Sequence, residues 1–351
     1  MHIALFAPYS QGPIRGNIIT VKRIARNLAL HGVSTCIIPL DSLSKQEISQ
    51  QLNATPPNLI HAFHAFHAGP LAREIAQESG IPYVISITGS DLFDADLRDH
   101  PATHDALNEA AAVCCFDQII AQQLTSHFPA IADRLVIIPQ GVEPLTCSTP
   151  VTRPENSFIA LLPAALRPAK GILEAIDALA PVAATDARLR LWLVGGALDT
   201  SYGDRIRQRI DGESWISLYG ELPHEQMGAL YAASDLVLNS SLFEGGMANT
   251  LLEAMAYAKP VIASNIPGNR SLLQTGACGW LYSNQLELQN IIHRLLTDSS
   301  QLDSVGYAAQ QYVLQHFSPK QEAAAFAKLY QGIMQPPALS DITVKPYENQ
   351  T

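Results

Sequence analysis

Short apolar runs alternate with amphipathic stretches along almost the whole chain. The first run, residues 2–7 (HIALFA), is long enough for one buried strand. Residues 17–31 then place Ile18, Ile19, Val21, Ile24, Ala25 and Leu28 on one helical face, and Gly32 ends that helix before a second strand at 34–40. Further strands are predicted at 59–62, 83–88, 113–115 and 135–138, with helices between them. Such a series implies a parallel sheet covered on both faces. After Pro139 and Gly141 the pattern lapses, and 144–156, rich in Pro, Thr and Ser, reads as a linker. The alternation restarts with strands at 158–162, 189–194, 215–218, 236–239 and 261–263, and helices at 171–180, 224–233 and 249–258. A last helix is predicted at about 319–334, and 336–351 reads as an exposed tail. The expected organisation is α/β: two tandem doubly wound domains, 1–143 and 157–335, facing one cleft, with a C-terminal helix closing the fold. Ligands of open sheets sit beyond the carboxyl ends of the strands, so the loops that follow strands are where chemistry is sought.

The chain has 351 residues, 47% of them hydrophobic and 15% charged, which suits two globular domains and excludes disorder. No apolar run approaches the roughly 20 residues of a membrane span. The first strand starts at residue 2, so no secretory leader is expected. A net charge of -10 argues against nucleic acid as a partner. Residues 1–150 carry 8 Lys and Arg against 13 Asp and Glu, which argues against stable membrane association and for a small water-soluble partner. The five cysteines (Cys36, Cys114, Cys115, Cys147 and Cys278) contain no C-x-x-C. They suggest neither a disulfide framework nor a zinc knuckle, and a cytoplasmic location is expected.

The most informative loop is 239–256, NSSLFEGGMANTLLEAMA. A strand ends at Asn239, Gly245 and Gly246 turn the chain, and a helix begins near Ala248 or Asn249. Amides opening such a helix lack intrahelical partners and carry the positive end of its dipole, so Gly246, Met247, Ala248 and Asn249 form a candidate diphosphate cradle. Glu244 before the helix and Glu253 inside it can flank one ligand and accept hydrogen bonds from its hydroxyls. The plainer alternative is an ordinary turn with a Glu on a helix surface. In 162–171 (LPAALRPAKG), Arg167 and Lys170 bring two cations to another loop–helix junction. There they can neutralise a diphosphate without a metal, or remain solvated. In the first domain, Gly12 and Gly16 let backbone approach a ligand, although a lone GxxxG also describes a flexible loop. His61, His64 and His67 would converge on a metal only within a helix. They follow a strand, precede Gly69-Pro70 and have no Asp, Glu or Cys nearby. No metal is expected, and His64 is the one placed to meet a substrate.

Taken together, Arg167…Lys170-Gly171, Leu193-Val194-Gly195-Gly196, Tyr219-Gly220, 230–235 (LYAASD), Glu244-Gly245-Gly246…252–256 (LEAMA) and 260–264 (PVIAS) resemble the retaining nucleotide-sugar glycosyltransferases of family GT4, whose two Rossmann-like domains form the GT-B fold. The segment 138–143 (IPQGVE) is similar to that family's IPNGVD. The resemblance implies that Arg167 and Lys170 bind the donor diphosphate, Glu244 contacts the donor sugar, Glu253 holds the ribose hydroxyls and Gly16 lies near the donor phosphates. Arg167, Lys170 and Glu244 would carry catalysis, through stabilisation of the leaving diphosphate. Thr88-Gly89-Ser90-Asp91 resembles the family's HGxD, with Thr88 where a donor-contacting His is usual, and the acceptor set is Asn17, His64, Ser90 and Asp91. Two spacings depart from the pattern. Glu244 and Glu253 are nine residues apart, one more than usual, and Arg167 precedes Lys170 by three, fewer than usual.

The implied reaction moves a sugar from a nucleoside-diphosphate donor, UDP-sugar foremost, to a small soluble acceptor with retention. It needs no cofactor beyond that co-substrate and no metal, and homo-oligomers are left open. Shorter matches, including Gly16-Asn17 and 266–269 (IPGN), resemble the branch of selenosugar synthases and glycosyltransferase 1 domain-containing proteins. That branch brings a selenium anion as an alternative acceptor. A non-catalytic nucleotide-sugar-binding protein and a sugar-nucleotide epimerase are the rivals from other classes.

Overall fold

The computed structural model describes residues 1–11, 16–145, 150–244, 247–273 and 277–335. The chain divides into two compact units: Met1–Gln11, Asn17–Gly141 and the stretch from Pro319 form the first, and the second is built on Val142–Ser318.

The first unit is one parallel sheet of β1 (His2–Ala7), β2 (Ser34–Pro39), β3 (Leu59–Phe63), β4 (Tyr83–Ser86), β5 (Ala112–Cys115) and β6 (Leu135–Ile137), in the order β2-β1-β3-β4-β5-β6. Side chains alternate across it. Ala4 and Phe6 of β1 join Ile60, Ile85 and Val113 on one face, while Ile3, Leu5 and Ala7 join Phe63, Val84 and Cys114 on the other. The helix Gly16–Leu28 covers this second face with Ile18, Val21, Ile24 and Leu28. It stops three residues short of the expected 31. A single 3-10 turn, Ala29–His31, follows, and Gly32 closes it at φ 68°.

The helix Pro319–Met334 covers the rest of that face with Ala323, Phe326, Ala327, Leu329 and Tyr330. It therefore belongs to the first unit, not to a domain running from 157 to 335. Its apolar stripe shows which side is buried, and only packing shows which sheet receives it. A buried ion pair fixes the docking: Arg23 Nε and Nη2 donate to Glu322 Oε2 and Oε1 at 2.9 and 3.0 Å.

The second unit is also a parallel six-stranded sheet, with β7 (Phe158–Pro163), β8 (Leu189–Val194), β9 (Ile216–Leu218), β10 (Leu236–Asn239), β11 (Val261–Ser264) and β12 (Gly279–Tyr282) in the order β12-β11-β10-β7-β8-β9. β12 escaped the pattern because it is a half-buried edge strand (GWLY) with no clean alternation. The helix expected at 171–180 runs from Ile172 to Thr185 straight through Pro181, since Ala178, Leu179 and Val182 all pack into the core. In the linker stretch, Arg153 forks onto Asp235 at 3.1 and 2.8 Å. Asp235 also accepts the Ile159 amide, tying the entry of β7 to the turn before β10. Among the described residues no helix is long and apolar enough to cross a membrane.

Candidate active site

In the second unit, the loop after β7 closes in a single 3-10 turn, Pro168–Lys170, followed by Gly171 in the left-handed conformation (φ 56°). A Cβ on Gly171 would lie 2.2 Å from the Ser240 carbonyl oxygen, so only glycine lets this turn reach the loop after β10. Two bonds join the loops: the Leu242 amide donates to Ala169 O at 2.9 Å, and Ser240 Oγ donates to Lys170 O at 2.7 Å. Across this seam Lys170 Nζ donates to Glu244 Oε1 at 2.5 Å, and Ser241 Oγ donates to the same oxygen at 2.6 Å. Glu244 Oε2 has no hydrogen-bond partner among the described residues.

Burial pushes the Glu244 carboxyl up, but the Lys170 charge and hydrogen bond, the Ser241 hydroxyl and the Arg167 charge outweigh it and hold the group below its ordinary range. Glu244 is therefore ionised. Arg167 Nε is shielded from solvent without a hydrogen-bond partner. An unmet buried donor costs about 1–3 kcal/mol, which a bound anion would recover. The structure thus brings Arg167, Lys170 and Glu244 into one cluster at the carboxyl ends of β7 and β10.

Gly246 lies outside the described residues. Met247 and Ala248 turn their side chains into the core, so they have only backbone to offer a ligand. Ala248 is the N-cap of the helix Asn249–Ala256 and supplies no side-chain cap. Glu253, buried in that helix, has different partners from Glu244. Its Oε1 accepts from His224 Nε2 at 2.7 Å and its Oε2 from the Tyr231 hydroxyl at 2.8 Å. Burial and the Glu253 charge push the Tyr231 hydroxyl well above its ordinary value, so it stays a donor. Sequence reasoning missed His224, Tyr231 and Ser241. The first two reach Glu253 from another helical segment, 29 and 22 residues away, and no local spacing records such a contact.

Gly16 opens the helix Gly16–Leu28; of the acceptor candidates in the first unit, Asn17 lies in that helix and His64, Ser90 and Asp91 lie around the ends of β3 and β4. Asp91 is fully buried and its carboxylate is taken up by backbone. Oδ1 accepts from the Thr88 and Gly89 amides at 3.0 and 2.7 Å, and Oδ2 from the Ala65 amide at 2.9 Å. It clamps the loop after β3 to the loop after β4.

His64 follows β3 at φ 115°, a conformation rare outside glycine that costs on the order of 1–3 kcal/mol. Its Nδ1 accepts the Phe66 and His67 amides, both at 3.2 Å, which puts the ring proton on Nε2, 2.8 Å from Ser90 Oγ. Burial holds the His64 ring below its usual pKa against the charges of Asp91 and Asp94. Ser90 Oγ accepts from this ring and keeps its own hydrogen for another partner. Asn17 donates to Phe63 O at 3.4 Å, and its Oδ1 is buried without a partner. Asn17, His64 and Ser90 thus gather at one end of the sheet.

The three histidines do not converge. His61 is in the core, bonded to the Tyr330 hydroxyl at 2.6 Å and Ser86 Oγ at 2.8 Å, while the His64 and His67 rings lie 4.3 Å apart. Among the described residues no group of three or more His, Cys, Asp or Glu side chains is placed to hold a metal.

Two parallel sheets with these strand-end clusters define a class of protein. Residues 157–298 match the profile of the glycosyl transferases group 1. The whole fold is GT-B. It superposes on sucrose-phosphate synthase from Thermosynechococcus elongatus with a TM-score of 0.81 at 18% identity, over 95% of this chain and 98% of that one. It also matches Anabaena Alr3699/HepE, solved in complex with UDP-glucose, with a TM-score of 0.72 at 20% identity, over 95% of this chain and all of that one (100%). Among individual relatives, the chain is homologous to glycosyltransferase 1 domain-containing protein 1 of Xenopus tropicalis. The two are 23% identical over 336 residues, 90% of this chain and 93% of its relative.

Proposed function

We propose that the protein is a retaining, GT4-like glycosyltransferase that moves a sugar from a nucleoside diphosphate, UDP foremost, to a small water-soluble acceptor in the cytoplasm. The observation that carries this reading is the cluster of Arg167, Lys170 and Glu244, two cations and an ionised carboxylate within the segment that matches the glycosyltransferase family. Arg167 Nε lacks a partner, and a diphosphate supplies one. As the glycosidic bond to the diphosphate breaks, Arg167, Lys170 and the amides opening Asn249–Ala256 take up the developing charge, which is work a divalent metal does elsewhere. Glu244 Oε2 receives a donor-sugar hydroxyl and Glu253 the ribose. Asn17, His64 and Ser90 receive the acceptor. The UDP-glucose complex of HepE supports UDP as the nucleotide.

A thermal-shift panel of UDP-, GDP- and ADP-sugars tests the donor, because the cognate ligand raises the melting point by mass action. Addition of acceptor extracts must then release the nucleoside diphosphate. Stabilisation by a UDP-sugar with acceptor-dependent UDP release is the expected result. Stabilisation without release identifies a binding protein or an epimerase instead.

A further inference from the structure

The loop that carries Glu244 is mounted on a buried polar network for which the reading above has no use. Ser241 is 2% exposed and fixed at three points besides its hydrogen bond to Glu244. Its amide donates to Asn239 Oδ1 at 3.0 Å, its carbonyl accepts from Ser264 Oγ at 2.5 Å, and its hydroxyl lies 3.4 Å from Lys170 Nζ. Asn269, fully buried at the motif Ile266-Pro267-Gly268-Asn269, ties these groups together. Its Nδ2 donates to Ser264 O at 3.0 Å and to Asn239 Oδ1 at 3.3 Å. Asn239, Ser241 and Asn269 are buried and Ser264 half-buried at the carboxyl ends of β10 and β11, and although Asn269 Oδ1 has no partner among the described residues, the bonds the four side chains do make hold one geometry. The geometry they hold is that of a single carboxylate. Ser241 and Lys170 both occupy Glu244 Oε1, which leaves Oε2 without a hydrogen-bond partner among the described residues.

We propose that Ser241, braced by Asn239, Ser264 and Asn269, is a positioning residue that aims Glu244 Oε2 at a hydroxyl of the donor sugar and so sets which sugars the enzyme accepts. This rests on the donor-site reading. It assigns the network to the sugar and not to the nucleotide, because Oε1 is already taken and the phosphates have Arg167 and Lys170.

The test compares each nucleoside diphosphate with its sugar form by calorimetry, using UDP and UDP-glucose, GDP and GDP-mannose, and ADP and ADP-glucose. The pair that the wild type binds is then titrated into Ser241→Ala and Asn269→Ala, each checked for an intact melting transition. Ser241→Ala is expected to bind the bare diphosphate within about twofold of wild type and to lose roughly tenfold on the sugar form, the size of one charge-assisted hydrogen bond. Asn269→Ala is expected to show the same selective loss in smaller measure. Equal weakening of both forms by Ser241→Ala, or weakening of neither, overturns the proposal. A wild type that binds none of the six ligands overturns the donor reading itself, and the proposal with it.

Discussion

His61, His64 and His67 repeat one spacing, yet each has a different environment. His61 is sealed between Ser86 and Tyr330, and burial pulls its ring pKa from 6.5 down to about 3. The folded protein therefore keeps it neutral while the unfolded chain takes up a proton below about pH 6.5. Stability is lost as pH falls through that window, by about 1.4 kcal/mol per pH unit at full slope and about 2 kcal/mol between pH 7 and 5. Urea unfolding at the two pH values should show this loss in the wild type and a shallower one in His61→Gln. Identical slopes would mean that the ring is not held neutral. The loop-after-strand rule, which needs only the strand ends and the charge, was enough to single out Arg167, Lys170 and Glu244 as candidates, and the fold gathers them in one cluster. The environment of Asp91 was not legible, because a sequence does not show that a loop carboxylate accepts the amides of Ala65, Thr88 and Gly89.

Among the elements, buried parallel strands were legible because they read as unbroken apolar runs. β12 was not, since an edge strand buries too little to leave a pattern. The helix Pro319–Met334 was legible from its apolar stripe, but its destination was not. What anchors it is the Arg23–Glu322 pair, with both side chains almost fully buried, and a contact 299 residues apart in the chain leaves no local trace. Removing one partner strands the other charge in the interior, which typically costs 3–5 kcal/mol. Glu322→Gln should lower the unfolding free energy from urea titration by an amount in that range, without changing the fold seen by far-ultraviolet circular dichroism. A loss under about 1 kcal/mol would show the helix to be held by apolar packing alone. The same pair buries Arg23, while Lys22 and Arg26 of that first helix are exposed, a weak footing for an anionic membrane.

For the whole molecule, the lapse of pattern at 144–156 marked a boundary, and the chain passes between its two units at Gly141 and Val142 and again at Ser318 and Pro319. The second passage was not legible, because one helix is as amphipathic on either sheet. The family match covers 157–298 and with it every residue assigned to the donor, Gly16 excepted, so the central claim concerns that unit: its paired cations bind a nucleoside diphosphate without a metal. Calorimetry of UDP binding in the presence of EDTA, with wild type and Lys170→Ala side by side, tests this most directly. The account predicts that the wild type binds UDP with the chelator present and that Lys170→Ala binds roughly 10- to 150-fold more weakly, the range for a lost charge-assisted hydrogen bond. Binding that appears only when a divalent ion is restored, or an affinity that Lys170→Ala leaves unchanged, would contradict it.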